Sequence, residues 1–194
     1  MKPETLVKVG GSLIGWTELV PELRFRVQSM RKPLCLLFGG GVMVDVLRDW
    51  DRTYQIGENS SHWLAIEALD LIARTMLECF PDFQLWSECH PPDSEGLFMI
   101  SPSRFCKADA VANPRDCLPE HWSATSDSIA LRMATVWEIP SLVLCKTTVL
   151  PTGGNKNQHG PWGDWVDPFF DQLAKKKGAP QDIQVLGMMD PRCH

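Results

Sequence analysis

The sequence predicts an α/β protein: a three-layer αβα sandwich around a mainly parallel central sheet. Three observations predict it. The run 34–38 is continuously apolar and the short runs 5–9 and 141–145 are largely so, as strands buried on both faces are. Stretches with helical spacing of apolar residues separate them. Glycine-rich turns follow the first two runs, where open parallel sheets place their ligands.

The first strand covers 5–9 and ends in Val7-Lys8-Val9-Gly10-Gly11-Ser12. From Ser12 to Met30 the residues Leu13, Trp16, Leu19, Val20, Leu23 and Val27 recur at helical spacing, and Pro21 splits the stretch into a short turn and a longer helix. Residues 34–38 form the second strand and complete a βαβ unit with a right-handed crossover. Gly39-Gly40-Gly41 follows, then a helix from Val42 to about Trp50. Residues 51–60 read as a loop. Ser60 or Ser61 caps the next helix, which runs to about Phe80 and buries Leu64, Ala68, Leu71, Ile72, Met76 and Leu77. Its first turn holds His62, whose position alone suits the surface as well as a pocket.

Strands are predicted at 83–86 and 97–100. Ser101-Pro102 opens a helix that ends near Asp109. Thr125-Ser126-Asp127 opens another, reaching about Trp137. The strand 141–145 ends in Lys146-Thr147-Thr148. Residues 151–165 are a Gly/Pro/Asn-rich loop, Asp167-Pro168 opens a helix to about Lys177, and 183–186 is a last strand. One domain over 1–194 is expected, with length enough for two small lobes.

Composition narrows the function. With 44% hydrophobic and 22% charged residues, the chain has the balance of a soluble globular protein. A net charge of -5 and the lack of a basic stripe argue against a nucleic-acid or membrane-surface role. No apolar stretch reaches the roughly 20 residues that span a bilayer. Seven cysteines without a CxxC pair or signal peptide point to reduced thiols in the cytoplasm. Cys89-His90 and Cys193-His194 lack partners at zinc spacing, so no metal site is expected.

The chemistry lies at the strand ends. Paired glycines let backbone N–H groups approach an anion, and a helix N-terminus adds about half a positive charge. Lys8 adds a full one. Two such seats on adjacent strands suggest phosphoryl transfer. Asp45 and Arg48 share a helix face, either as a surface ion pair or with Arg48 on an acceptor's phosphate. Asp127 is either an ordinary acid in a first helical turn or the carboxylate that keeps Lys8 and another cation charged.

Taken together, Val7-Lys8-Val9-Gly10-Gly11-Ser12-Leu13, the triple glycine 39–41 and Thr125-Ser126-Asp127-Ser128-Ile129-Ala130 resemble the amino acid kinase superfamily. That superfamily includes acetylglutamate, aspartate, uridylate and isopentenyl phosphate kinases. The likeness covers most of 5–148. Asp45-x-x-Arg48, Ser61-His62-Trp63-Leu64-Ala65-Ile66 and Trp122-x-x-Thr125 are similar, within it, to the archaeal-type aminomethylfuran phosphate kinases. These convert a furan monophosphate to its diphosphate during methanofuran assembly.

The resemblance implies roles. Lys8 neutralises the transferred phosphoryl group, and Asp127 orients the lysines. Gly10, Gly11, Ser12, Ser126, Lys146 and Thr147 serve the nucleotide. Gly39, Gly40, Gly41, Asp45, Arg48 and His62 serve the acceptor. ATP with Mg2+ is the implied donor, and a homodimer the implied assembly. The lobe 1–120 would bind the acceptor and 121–194 the nucleotide. Two departures stand out. Many members continue the later strand as Lys-x-Thr-x-Val-Asp-Gly, whereas this chain reads Lys146-Thr147-Thr148-Val149-Leu150-Pro151. The stretch after about 150 is also compressed. Lys146 and Lys156 are the candidates for a second catalytic lysine. Two alternatives stay open: a non-catalytic nucleotide- or oxyanion-binding protein on this fold, and a kinase for a carboxylate.

Overall fold

The computed structural model describes residues 2–147 and 165–188. Its centre is one six-stranded sheet in the order β3-β4-β2-β1-β5-β6. The strands are β1 (Thr5–Val9), β2 (Leu34–Phe38), β3 (Gln84–Trp86), β4 (Leu97–Ile100), β5 (Ser141–Lys146) and β6 (Asp182–Gly187). Every neighbouring pair is parallel. All residues of β1 and β2 are buried. Successive side chains of a strand point to opposite faces, so cover is required on both, and an α/β sandwich results.

The helices are α1 (Leu19–Gln28), α2 (Gly41–Tyr54), α3 (Glu58–Leu77), α4 (Ser103–Ala112), α5 (Ser126–Val136) and α6 (Phe170–Ala174). A 3-10 turn at Gly11–Leu13 follows β1. The break before α1 lies upstream of Pro21, which sits in the first turn of α1, where its missing N–H costs nothing. The predicted loop 51–60 is largely helical: α2 runs on to Tyr54, and α3 begins at Glu58 after Gly57 rather than after a serine cap. No serine side chain caps α4 either; its N-cap position is Pro102. The helix after Asp167 is shorter than expected and covers Phe170–Ala174.

The buried face of α3 differs from the expected one. Its buried residues include His62, Ile66, Leu69, Ile72, Ala73 and Met76, while Leu64 and Leu71 are exposed. Apolar residues of α3 occur on more than one face, so 3.6-residue spacing has two solutions. The sheet takes the face that carries His62.

The core fills both sides of the sheet around Phe38, Phe80, Phe98 and Phe170. Arg132 of α5 makes a buried two-pronged ion pair with Asp109 of α4 at 2.7 Å, fixing these helices together. The predicted loop 151–164, with Lys156 and Trp162, lies outside the described residues, as does Cys193-His194.

Candidate active site

Lys8 stands in β1 between Leu37 of β2 and Leu144 of β5. Lys146 ends β5. An aliphatic strand environment would expel a lone ammonium, and burial is tolerated only beside a carboxylate. Asp127 supplies it. Lys8 Nζ lies 2.7 Å from one of its carboxylate oxygens, and Lys146 Nζ donates to the other at 2.6 Å. All three are largely buried.

Burial pushes the Asp127 carboxyl up, but the two lysines outweigh it and hold the group below the usual carboxylate range. Lys146 is drawn below the ordinary lysine value by burial and by the charge of Lys8, against the pull of Asp127. The sharper reading of Asp127 and the plainer one are both true. Thr125 is the N-cap of α5, and its hydroxyl accepts from the Asp127 N–H at 3.3 Å. The same helix start then aims the carboxylate at the lysines.

The two glycine turns pack against each other after β1 and β2. A Cβ on Gly11 would lie 2.1 Å from the Gly41 nitrogen, and Gly41 has φ +50°. No other residue type allows that approach. The amide of Gly10 donates to Cys145 and that of Gly39 to Val9, both at 2.8 Å. These two N–H groups extend the sheet ladder, so Gly10 and Gly39 contribute clearance and not anion donors.

Beside the turns lies a cavity of about 280 Å³. Gly11, Ser12, Gly40, Gly41, Asp45, Arg48, His62 and Ser126 all line it. The structure therefore gathers eight of the expected residues around one space. Gly11, Ser12 and Ser126, assigned to a nucleotide by resemblance, share it with the acceptor group. Lys8, Asp127, Lys146 and Thr147 do not line it. Val44, Ile66, Leu69 and Ile129 give the cavity an apolar wall.

Arg48 pairs with Asp45 at 2.8 Å while its guanidinium lies over the Trp122 ring, 5.0 Å from the centroid. His62 is buried, contrary to the surface position its sequence context allows equally well. Burial lowers its imidazole below the usual value, against the opposing influence of Glu120 and the His121 backbone.

One residue escaped the sequence reading. Asp167 is buried and gathers the start of α5: it accepts from the Thr125 N–H and hydroxyl, and from the Ser128 N–H and hydroxyl. It also accepts from the N–H groups of Phe169 and Phe170. Asp167-Pro168 signals a helix start, but nothing local signals a partner 42 positions away.

The donor set suits phosphate groups: two lysines, clustered turns, a helix N-terminus and the hydroxyls of Ser12 and Ser126. One Asp127 oxygen accepts a hydrogen bond from Lys146, and the other is paired by charge with Lys8. Among the described residues, no three His, Cys, Asp or Glu side chains group to hold a metal ion. No helix among the described residues is long and apolar enough to cross a membrane.

No family model matches the chain. A curated relative, the [5-(aminomethyl)furan-3-yl]methyl phosphate kinase of Methanocaldococcus jannaschii, is 27% identical over 147 residues, 72% of this chain. The chain spans 63% of that relative's length. Among solved structures, the uridylate kinase of Archaeoglobus fulgidus has a TM-score of 0.49 and 16% identity, covering 76% of this chain and 64% of its own. The UMP kinase of Ureaplasma parvum has 0.47 and 12%, covering 77% and 71%. Likeness at that level does not say what this chain acts on. The chain is thus similar, over most of its own sequence, to an aminomethylfuran phosphate kinase, the group within the amino acid kinase superfamily that its motifs resemble.

Proposed function

We propose that the protein is a kinase that transfers the γ-phosphoryl group of ATP to a small phosphorylated acceptor. The observation that carries this is the Lys8–Asp127–Lys146 triad, together with two touching glycine turns and a cavity with an arginine. Phosphoryl transfer asks for position and charge neutralisation more than for covalent chemistry. An acceptor oxygen attacks the γ-phosphorus, the β–γ bridging bond breaks, and ADP leaves with the bond's electron pair. An acceptor that is already an anion needs no strong general base.

Lys8 and Lys146 take up the negative charge of the moving phosphoryl group. Asp127 holds both ammonium groups in place. Gly10, Gly11, Ser12, Ser126 and Thr147 serve the nucleotide side, where Mg2+ shields the phosphates when bound. Gly39, Gly40, Gly41, Asp45, Arg48 and His62 form the acceptor side, with Arg48 as a fork for the acceptor's phosphate. Residues 1–120 then act as acceptor lobe and 121–194 as a shortened nucleotide lobe. The aminomethylfuran phosphate of methanofuran-type carrier synthesis is the acceptor that the relative's name supports.

A cytoplasmic homodimer completes the reading. Val42, Val46, Trp50 and Tyr54 recur every fourth residue of α2 and are exposed. A second copy of this face would cover them.

Phosphorus NMR tests the proposal, with Mg-ATP and aminomethylfuran phosphate, uridylate, isopentenyl phosphate and acetylglutamate as acceptors. New diphosphate resonances with a phosphorylated acceptor are expected. Turnover with acetylglutamate alone would move the reading to a carboxylate kinase. A second reading, a nucleotide- or oxyanion-binding protein without turnover, is favoured by Val149-Leu150-Pro151 where many relatives have Asp-Gly. ATP binding with no ADP formation for any acceptor would select it.

A further inference from the structure

Trp122 lies in the loop before α5 and lines the cavity. Its two polar capacities are both directed at one face of α2. The indole N–H donates to Asp51 at 2.9 Å, and the ring face lies under the Arg48 guanidinium. Arg48 and Asp51 are three residues apart on a helix, so they sit one above the other. The indole is laid across both.

Asp51 is itself held. It accepts from the Gly57 N–H at 2.9 Å, at the corner between α2 and α3 where Gly57 has φ +97°. The Trp122 hydrogen bond keeps its carboxyl below the usual range, and Gly57 adds to this against some desolvation. The result is a short chain of fixed contacts: corner, carboxylate, indole, guanidinium. An unsupported arginine at a half-open position samples many rotamers and loses that freedom when it binds. Here one nitrogen goes to Asp45 and the face goes to the indole. The remaining edge is what a ligand in the cavity can meet.

We propose that Trp122 and Asp51 are positioning residues for the acceptor, which preset the Arg48 fork to receive its phosphate. Neither touches the reacting atoms. The proposal rests on the kinase reading above, because it takes Arg48 to hold the acceptor. It assigns acceptor affinity to a residue pair outside the glycine turns and the lysine triad.

Steady-state kinetics with Mg-ATP and aminomethylfuran phosphate test it, in wild type and in Trp122→Phe, Trp122→Leu, Asp51→Asn and Asp51→Ala. Trp122→Phe keeps an aromatic face and loses the N–H. Asp51→Asn keeps an oxygen to accept from it. Trp122→Leu and Asp51→Ala should raise the acceptor KM on the order of tenfold or more with the ATP KM nearly unchanged, whatever the loss in unfolding midpoint from their contacts. Trp122→Phe and Asp51→Asn should reverse part of that rise in KM. Equal rises in both KM values would mean a packing role and overturn the proposal. An unchanged acceptor KM in Trp122→Leu would overturn it too, leaving the kinase reading intact. Absence of wild-type turnover with every acceptor named above would remove the kinase reading and this inference with it.

Discussion

Asp127 gives one carboxylate oxygen to Lys8 and the other to Lys146, at 2.7 and 2.6 Å. The arrangement is unequal. Each lysine has one partner in it, whereas the carboxylate has two.

The inequality predicts different costs for removing its members. Lys8→Met leaves Asp127 still paired with Lys146, so the fold should survive while kcat falls on the order of a hundredfold or more. Asp127→Ala leaves two buried ammonium groups together without a counter-charge. It should cost about 3–5 kcal/mol of stability. Urea unfolding of both variants, beside an ADP-release assay, measures the contrast. A Lys8→Met protein with wild-type turnover would refute its catalytic role.

Lys146 predicts an alkaline limb. Its ammonium is held below the ordinary lysine value by burial and by Lys8. The charged form disappears as pH rises through that lowered value, and kcat should fall there. Arginine stays charged throughout this range, so Lys146→Arg should shift the limb upward or remove it. A kcat profile up to about pH 10, near the ordinary lysine value, checks this with both proteins.

His62 predicts an acid-side effect on stability. The unfolded chain takes up a proton near pH 6.5, whereas the buried imidazole does so only at lower pH. The unfolded state therefore binds more protons in between. Stability is full above about pH 6.5 and declines as pH falls toward the folded value. Thermal midpoints from about pH 5 to 8 should show this slope, and His62→Gln should flatten it.

The contact between the glycine turns predicts a sharp positional effect. Gly11→Ala pushes a methyl into the Gly41 backbone at 2.1 Å. It should cost about 1–3 kcal/mol and weaken binding on both sides of the site. A methyl at Gly15 would meet nothing within 4 Å, so Gly15→Ala should be nearly silent. Calorimetric titration with ATP and with the acceptor separates the two.

The exposed face of α2 predicts the assembly. Trp50→Glu places a charge in the middle of the apolar stripe. Sedimentation velocity should find a dimer for wild type and a monomer for the variant. A wild-type monomer at micromolar concentration would dismiss the pairing.

Much of this was readable from the residues, for a physical reason. Strands buried on both faces are largely apolar, so β1, β2 and β5 stand out without context, although β1 carries Lys8 and β5 ends in Lys146. Glycine turns that touch need glycine, and an N-cap needs a short polar side chain, so 10–12, 39–41 and 125–127 carry their own signal. What stayed hidden depends on partners distant in the chain. The side of α3 that faces inward is chosen by the sheet. Asp51 and Trp122 meet across 71 positions. Asp167 looks like any helix-start aspartate until the other helix start it gathers is seen.

Asp167 and Lys146 share one further property. The chain leaves β5 through a lysine bound to Asp127 and comes back through an aspartate bound to Thr125 and Ser128. Departure and return are fastened to the same turn of α5. Closing a connection between fixed posts costs little more when it is lengthened, about 0.6 kcal/mol per doubling. Both posts belong to one turn of α5, so the lysine at one end and the aspartate at the other are held by the same helix start.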